Sequence, residues 1–250
     1  MRRMWVPLLL LALLPQPARA CTPQTSTPDN PWLITYQGSA GGWPVRMTLA
    51  FEGKSIEGLA AIGPAYDWLQ KVRGTMSDPQ HLTLQIGDWS VWKGTFQTHD
   101  PKHRFGDSTL NCEVITGIRD TWAGEAAFDL AEDSEGAGTL THRYDVMGVT
   151  VDRTIDQAAW RFWNAVRRGD RRTVSALVAY PLTVKAPAGI LTLHTPGDLI
   201  RNYGRVFTPA MRQAIDKSVP ALLSANYEGA MLGNGAVWFN AQGRISAINP

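Results

Sequence analysis

The stretch WPVRMTLAF, residues 43–51, carries the strongest β-strand signal in this 250-residue chain. Val45, Met47, Leu49 and Phe51 alternate with residues that are smaller or polar. This period of two is typical of a half-buried strand, because successive side chains point to opposite faces of a sheet. The stretch therefore predicts a strand with one face in a hydrophobic core.

The segments around this strand continue the β pattern. Glu52-Gly53-Lys54 predicts a tight turn, and residues 81–86 alternate again. Asp78-Pro79 and residues 133–138 have the composition of turns, and glycines at 58, 74, 94 and 124 suggest bends or bulges within strands. Residues 21–150 are therefore predicted to form a small antiparallel β-barrel or β-sandwich.

The second half, residues 151–250, changes to the period of an α-helix. Residues 156–168 form one broad apolar stripe, Gly169 suits a left-handed helix end, and Asp170 can cap the next helix. Thr195-Pro196 and Thr208-Pro209 indicate two further helix starts. Residues 236–249 predict a closing hairpin. The fold class is thus α+β, with an N-terminal β-domain followed by an α+β domain.

Residues 1–20 have the three parts of a secretory signal peptide. Arg2 and Arg3 precede an apolar run at residues 6–14, and Ala18-Arg19-Ala20 supplies small residues at the expected cleavage site. The run is too short for a membrane-spanning helix, which needs about 18 apolar residues. We therefore expect a periplasmic or secreted protein without a transmembrane segment.

Cys21 and Cys112 are the two cysteines of the chain. In an oxidising compartment such a pair forms a disulfide, which by closing a long loop would stabilise the fold by about 4 kcal/mol. Lipidation of Cys21 is the alternative, although Ala18 stands where lipoprotein signals usually carry leucine. We expect the disulfide.

The charge of the chain changes sign between its two halves. Residues 21–250 hold 21 Lys and Arg against 22 Asp and Glu, so general binding of nucleic acid is not expected. Residues 21–150 hold 9 basic and 16 acidic residues, whereas residues 151–250 hold 12 and 6. The asymmetry indicates either a charged surface for a partner or two domains that complement each other across a shared face.

Three local patterns in residues 155–250 carry a resemblance to a known superfamily. They are Phe162-x-x-Ala165-x-x-x-Gly169-Asp170 at the helix–helix joint, Tyr180-Pro181 beyond it, and the hairpin at residues 235–248. This half resembles the α+β cone of the nuclear-transport-factor and ketosteroid-isomerase superfamily. The first half looks like the short β-meander domains that precede envelope modules of unknown role.

The resemblance implies a helix closed over a curved sheet, with a cone-shaped pocket between them. It makes Tyr180, Tyr203, Tyr227 and Trp238 the candidate pocket residues. Enzymes and plain binding modules both use this fold, so the resemblance does not choose between them.

No residue pattern in the chain requires catalysis or a cofactor. Gly-x-Ser-x-Gly, phosphate-loop and His-Glu-x-x-His motifs are absent from the sequence. The available bases are Asp198, Asp216, Glu228 and His194, and Asp198 already suits a helix cap. The sequence therefore predicts no catalytic residue and no cofactor.

The metal-binding candidates are also weak. His99 and His103 lie near Asp100 and Asp107, but Pro101 argues against a helix face and no further ligand is close. The acidic residues between 129 and 135 miss the spacing of a calcium loop and are expected in a solvated hairpin turn. No metal site is predicted.

Two features favour binding of a macromolecule. Trp89 and Trp92 point to opposite faces of a continuous strand, so at least one should reach the surface, and Trp89 is a candidate partner contact. Five arginines crowd the helix–helix joint as candidate contacts for an acidic partner: Arg161, Arg167, Arg168, Arg171 and Arg172. The structural alternatives are a barrel mouth filled by tryptophan and a helix C-terminus stabilised by arginine.

We expect a non-catalytic periplasmic binding or accessory protein that acts on an envelope protein, with an inhibitor or immunity-type role among the options. An anionic envelope polymer is the other partner class considered. A cone-pocket enzyme of the isomerase or dehydratase type, or a small-ligand carrier, is the alternative function.

Overall fold

The computed structural model describes residues 23–63, 69–97, 114–121, 124–186 and 189–250. Its first half is a meander of eight antiparallel strands. They are β1 (Trp32–Ala40), β2 (Trp43–Glu52), β3 (Ser55–Ile62), β4 (Gln70–Met76), β5 (His81–Ile86), β6 (Ser90–Gln97), β7 (Val114–Thr121) and β8 (Gly124–Ala137). Each strand pairs with the next, and β8 pairs with β1, so the sheet closes into a barrel. The predicted barrel is confirmed.

Large inward-facing side chains fill the barrel. The alternation at residues 45–51 places Val45, Met47, Leu49 and Phe51 in its core, each buried. Trp92 is fully buried and contacts Phe128, with ring centroids 4.8 Å apart. Because small barrels of eight strands have an interior just wide enough for side chains, this one is a packed core.

Glycines face inward at the middle of β3, β4 and β6 and make room for these large residues. A Cβ atom on Gly74 would lie 2.5 Å from the Thr83 carbonyl oxygen, and one on Gly94 would lie 2.8 Å from the Ile115 side chain. The pairing register is regular at both positions, so these glycines mark close strand contacts and not bulges. The recorded register shift between β1 and β8 lies at Thr35 and Tyr36.

The prediction of a turn at residues 133–138 is wrong, because β8 continues to Ala137. Asp133, expected in a solvated hairpin turn, forms an ion pair with Arg46 of β2, and both side chains are at most 10 % exposed. Composition alone predicts a loop for a run of acidic residues. Here the buried guanidinium of Arg46, which lies on β2 across the intervening strand β1, compensates the charge of Asp133.

The described residues of the second half, 151–186 and 189–250, form five helices and six short strands. They are α1 (Arg153–Arg168), α2 (Arg171–Ala176), β9 (Leu182–Ala186), β10 (Gly189–Leu193), α3 (Pro196–Arg201), α4 (Tyr203–Val206), α5 (Pro209–Lys217), β11 (Ser224–Asn226), β12 (Gly229–Leu232), β13 (Val237–Phe239) and β14 (Ile245–Ile248). Strands β9 and β10 form a hairpin, and β11 to β14 form a four-stranded antiparallel sheet.

The predicted helix ends of this half are confirmed. Gly169 ends α1 with φ of 67°, and the Asp170 side chain accepts a hydrogen bond from the Thr173 amide at the start of α2. Thr195 and Asp198 form a reciprocal capping box on α3, and Thr208 caps α5. These local signals depend on neighbouring residues only, which is why the sequence shows them.

An aromatic cluster fills the space between α1 and the four-stranded sheet. Phe162 of α1 lies 6.0 Å from Phe207 and 5.9 Å from Phe239, measured between ring centroids. Tyr203 packs on Phe207 at 4.7 Å. All four rings are buried. Side chains therefore occupy the region where a cone fold would hold a pocket.

The two halves meet at a buried polar contact on the outside of the barrel. Arg46, 5 % exposed, points outward from β2 and donates through Nε to the Leu222 carbonyl oxygen at 2.6 Å. Its guanidinium also contacts Asp133 and donates to Ser224 Oγ of β11 at 2.5 Å. Ala61 of β3 joins the hydrophobic cluster of the second half beside this contact. The halves thus share a desolvated interface.

None of the helices in the described ranges combines the length and the hydropathy that crossing a bilayer requires.

Candidate functional site

The end of α1 and the start of α2 form a cationic surface that we call the arginine joint, made of Arg167, Arg168, Arg171 and Arg172. Two of its members have structural partners. Arg167 lies over the Trp163 ring at 4.2 Å and pairs with Asp216 of α5 at 2.8 Å. The Arg171 guanidinium lies 5.2 Å from the Tyr203 ring centroid. These contacts hold the joint against the aromatic core.

The other two members, Arg168 and Arg172, are exposed and form no ion pair within the part of the chain that the structure describes. Because Arg167 and Arg171 hold the joint, the free pair projects from a supported base. Such an arrangement can pair with carboxylates of another molecule at a small cost in backbone ordering. Arg161, predicted as part of the same group, lies elsewhere, on the middle of α1.

A cleft of about 580 Å³ lies beside Arg161. One wall is α1, and the other is the segment at residues 220–221, with Leu69 at the barrel side. The α1 residues that line it are Arg153, Asp156, Gln157, Trp160 and Arg161. Arg153, Gln157 and Arg161 are exposed, whereas Trp160 is half-buried. The cleft therefore combines cationic groups with an aromatic surface.

The carboxylate in this cleft is part of a hydrogen-bonded network. Asp156, 19 % exposed, accepts from Arg143 at 2.5 Å and from the Tyr144 hydroxyl at 2.7 Å. Arg143 also pairs with Asp152 at 3.1 Å. Burial raises the pKa of Asp156 above its ordinary value, while Arg143 and Tyr144 favour the charged form. Both oxygens of Asp156 are thus engaged within the protein.

The opposite wall of the cleft is held by both halves of the chain. The Tyr144 hydroxyl accepts from the Leu223 amide at 3.1 Å, and Arg46 binds the Leu222 carbonyl. Leu222 has a φ of 54°, a left-handed conformation that a branched residue rarely adopts. The surrounding contacts are what maintain such a conformation, so this wall is fixed.

The four candidate pocket residues differ in burial and in hydrogen-bond partners. Tyr203 is 2 % exposed in the core, whereas Tyr227 is 81 % exposed in the β11–β12 turn. Tyr180 donates to the Ser175 carbonyl oxygen at 2.9 Å, and burial raises the pKa of its hydroxyl to about 12. Trp238 donates to the Gly235 carbonyl oxygen at 3.1 Å. The cleft beside Arg161 is lined by none of these four residues.

The candidate bases of the second half have structural partners or lie apart. Asp198 caps α3 and pairs with Arg201, and hydrogen bonds from His194 and Thr195 lower its pKa. Asp216 pairs with Arg167 of α1. Besides burial, the charge of Asp198 helps to raise the pKa of the Tyr180 hydroxyl, so these two groups lie near each other, although the hydroxyl donates to the Ser175 carbonyl oxygen.

Trp89 lies in the turn between β5 and β6 and is 66 % exposed, while Trp92 is buried. The prediction that at least one of these two tryptophans reaches the surface is confirmed. Trp89 belongs to the barrel, so it lies in a different half of the molecule from the arginine joint.

Several predicted features fall outside the described residues. These are the signal peptide at residues 1–20, the cysteines Cys21 and Cys112, and the histidines His99 and His103. Within the described ranges, no group of three or more His, Cys, Asp and Glu side chains could hold a metal ion.

The sequence reasoning missed the cleft and its residues Arg153, Gln157 and Trp160. Their spacing contained a signal, because positions 153, 157, 160 and 161 fall on one helical face. Trp160 belongs to the apolar stripe that the sequence predicts at residues 156–168, but it is only half-buried. The opposite wall of the cleft comes from residues about 60 positions further along the chain, so the spacing of residues within α1 does not reveal it.

Comparisons with known proteins add little to this geometry. No family model matches the chain, and no curated protein matches it. A solved structure similar to the barrel is a de novo designed fluorescence-activating β-barrel. It is 15 % identical, with a TM-score of 0.27, and the match covers 40 % of this chain and 91 % of the designed one. A likeness this weak carries no functional argument.

Proposed function

We propose that the protein is a non-catalytic binding module of the periplasm whose partner is an acidic envelope protein, bound at the arginine joint. The observation that carries the proposal is the contrast within the joint. Arg167 and Arg171 contact aromatic rings of the core, while Arg168 and Arg172 are exposed without ion pairs among the described residues. Arg172 also interacts electrostatically with Asp170 at the start of α2. A rigid base with two exposed guanidinium groups suits recognition of carboxylates of another molecule.

Binding is favoured over catalysis by the state of the candidate groups. The Asp198 carboxylate caps a helix, Asp216 pairs with Arg167, and aromatic side chains fill the interior. General acid–base chemistry needs a base and a hydrogen-bond donor that converge on one substrate atom. The cone-pocket enzyme therefore has less support than a binding role, in which the protein restrains or assists its partner.

We also propose that the second half is related to the nuclear-transport-factor and ketosteroid-isomerase superfamily. What supports this relation is the order of elements, with two helices, a hairpin, further helices and a four-stranded antiparallel sheet. We further propose that residues 1–20 direct export and that Cys21 and Cys112 form a disulfide. Mass spectrometry of the protein recovered from a periplasmic fraction would test the cleavage site and the disulfide.

Capture of partners from an envelope extract tests the binding proposal. The extract is applied to immobilised protein at low salt and at about 0.3 M salt, where the Debye length is below about 8 Å. We expect one partner that is retained at low salt and weakened at high salt. The variant R168E/R172E should lose it, because the reversed charges repel an acidic surface.

The matched control is K71E/K93E, which makes the same charge change at two exposed barrel lysines. We expect this control to retain the partner. The binding proposal fails if no partner is captured at either salt concentration. It also fails if the two double variants lose the partner equally, since net charge and not the arginine joint would then be responsible.

A further inference from the structure

The cleft between α1 and residues 220–221 is not used by the proposed function. We propose that this cleft binds a small organic anion with a planar apolar body, of which an aromatic carboxylate is the simplest example. The inference is independent of the acidic protein partner, because Arg168 and Arg172 do not line the cleft.

The charge of the cleft selects an anion. Arg153 and Arg161 lie on its α1 wall and form no ion pair within the described residues. The nearby carboxylate of Asp156 is already compensated, since both of its oxygens accept from Arg143 and Tyr144. Two unpaired guanidinium groups therefore dominate the local potential, and guanidinium groups bind carboxylates with charge-assisted hydrogen bonds.

The remaining lining selects a planar apolar body. Trp160 is half-buried and lines the cleft next to Arg161, so it supplies an aromatic side chain to the same wall as the two arginines. Leu69, Pro220 and Ala221 supply the apolar side opposite. A flat ring can stack on an indole and bury its other face on aliphatic groups, which a compact inorganic anion cannot do.

The size and rigidity of the cleft suit a small molecule. Its volume of about 580 Å³ falls in the range of ligand pockets, about 300–1,000 Å³. One wall is the 16-residue helix α1, and the other is held by hydrogen bonds to Arg46 and Tyr144. A site with both walls fixed before binding loses little conformational entropy when a ligand enters.

Isothermal titration calorimetry of the purified protein with 1-naphthoate tests this inference. We expect saturable binding with one site per chain. The neutral isostere 1-naphthamide should bind at least about tenfold more weakly, because it cannot form charge-assisted hydrogen bonds with two arginines. Raising the salt concentration should weaken the naphthoate and leave the amide unchanged.

Two variants locate the site. R153Q/R161Q should weaken naphthoate binding about tenfold or more, and W160A should weaken both probes, since stacking acts on either ring. The matched control R168Q/R172Q removes the same charge from the arginine joint and should leave both affinities unchanged. Thermal unfolding of each variant separates lost binding from lost folding.

The inference is overturned if 1-naphthoate does not bind, if the amide binds equally well, or if R153Q/R161Q binds like the unmodified protein. These results leave the protein-binding proposal intact, because partner capture depends on Arg168 and Arg172. Conversely, naphthoate binding together with failed partner capture would support the cleft and remove the proposed function.

Discussion

The interface between the two halves and the arginine joint use the same side chain in opposite ways. At the interface, Arg46 is buried and all of its contacts are within the protein. At the joint, Arg168 is exposed and pairs with no carboxylate of the described residues, while Arg167 lies between these extremes on the Trp163 ring. Burial and partners, not residue type, separate an arginine that holds the fold from one that is free to bind.

The largest expected effect is at the buried end of this series. R46M should lower the free energy of unfolding by about 3–5 kcal/mol, because it leaves the Asp133 carboxylate buried without its cation. Urea denaturation measures the loss. R73M, at an exposed arginine on strand β4 of the same barrel, is the control and should change stability by less than about 0.5 kcal/mol. If both variants lost the same free energy of unfolding, burial would not distinguish Arg46 from an exposed arginine.

An intermediate effect is expected at Arg167. R167M removes a half-exposed ion pair with Asp216 and a contact with the Trp163 ring, which together are worth about 1 kcal/mol. Differential scanning calorimetry should show a small decrease in melting temperature. Arg168, one residue away, has no such contacts, so R168M should have the same melting temperature as the unmodified protein. A loss at Arg168 as large as that at Arg167 would contradict its role as a free surface group.

The effect of burial on a charged group can also be tested at Asp156, through the pH dependence of the free energy of unfolding. Its folded-state pKa is raised by burial, so the folded chain binds its proton more readily than the unfolded chain. This stabilisation is complete below the ordinary carboxyl pKa of about 3.9 and is lost as pH rises through the folded value. The stability difference between the unmodified protein and D156N should therefore fall as the pH rises above the ordinary carboxyl pKa.

The control for this sign is Asp78, whose pKa is lowered by hydrogen bonds from the Gln80 amide and His81. Its contribution is present above the ordinary carboxyl pKa and is lost as pH falls through the folded value. D78N should therefore change the pH dependence in the opposite direction. A difference for D156N that rises with pH would mean that the ion pair with Arg143 outweighs burial.

The smallest effect is expected at the free pair itself. R168Q/R172Q should leave the free energy of unfolding within about 0.5 kcal/mol of the unmodified protein. Circular dichroism during urea denaturation can measure this. A clear loss of stability would show that these arginines support the helix ends, which is the alternative to a binding role.

How much the sequence predicted depends on the range of the interactions involved. The strand at residues 43–51, the caps at Asp170 and Thr195, and the closing hairpin follow from residues near each other in the chain, and all were predicted. Asp133 was misplaced because its cation, Arg46, is 87 residues away. Local periodicity and capping carry no information about such pairs.

The same limit applies to the candidate site. The arginine group was visible as a run of charges, but its division into supported and free members depends on Trp163, Tyr203 and Asp216 in three dimensions. The cleft was not visible at all, because residues 220–221 and Leu69 complete a face that α1 only begins. Tertiary packing, and not helix propensity, creates both features.

The ion pair at the interface also bears on how the two halves come together during folding. Both charged partners, Arg46 and Asp133, belong to the barrel, whereas the second half contributes only the neutral groups Leu222 and Ser224. Because domains generally fold as units, the barrel can neutralise its own charge before residues 222–224 dock against it. The second half then replaces water around a pair that already exists, so docking leaves neither half with a lone buried charge.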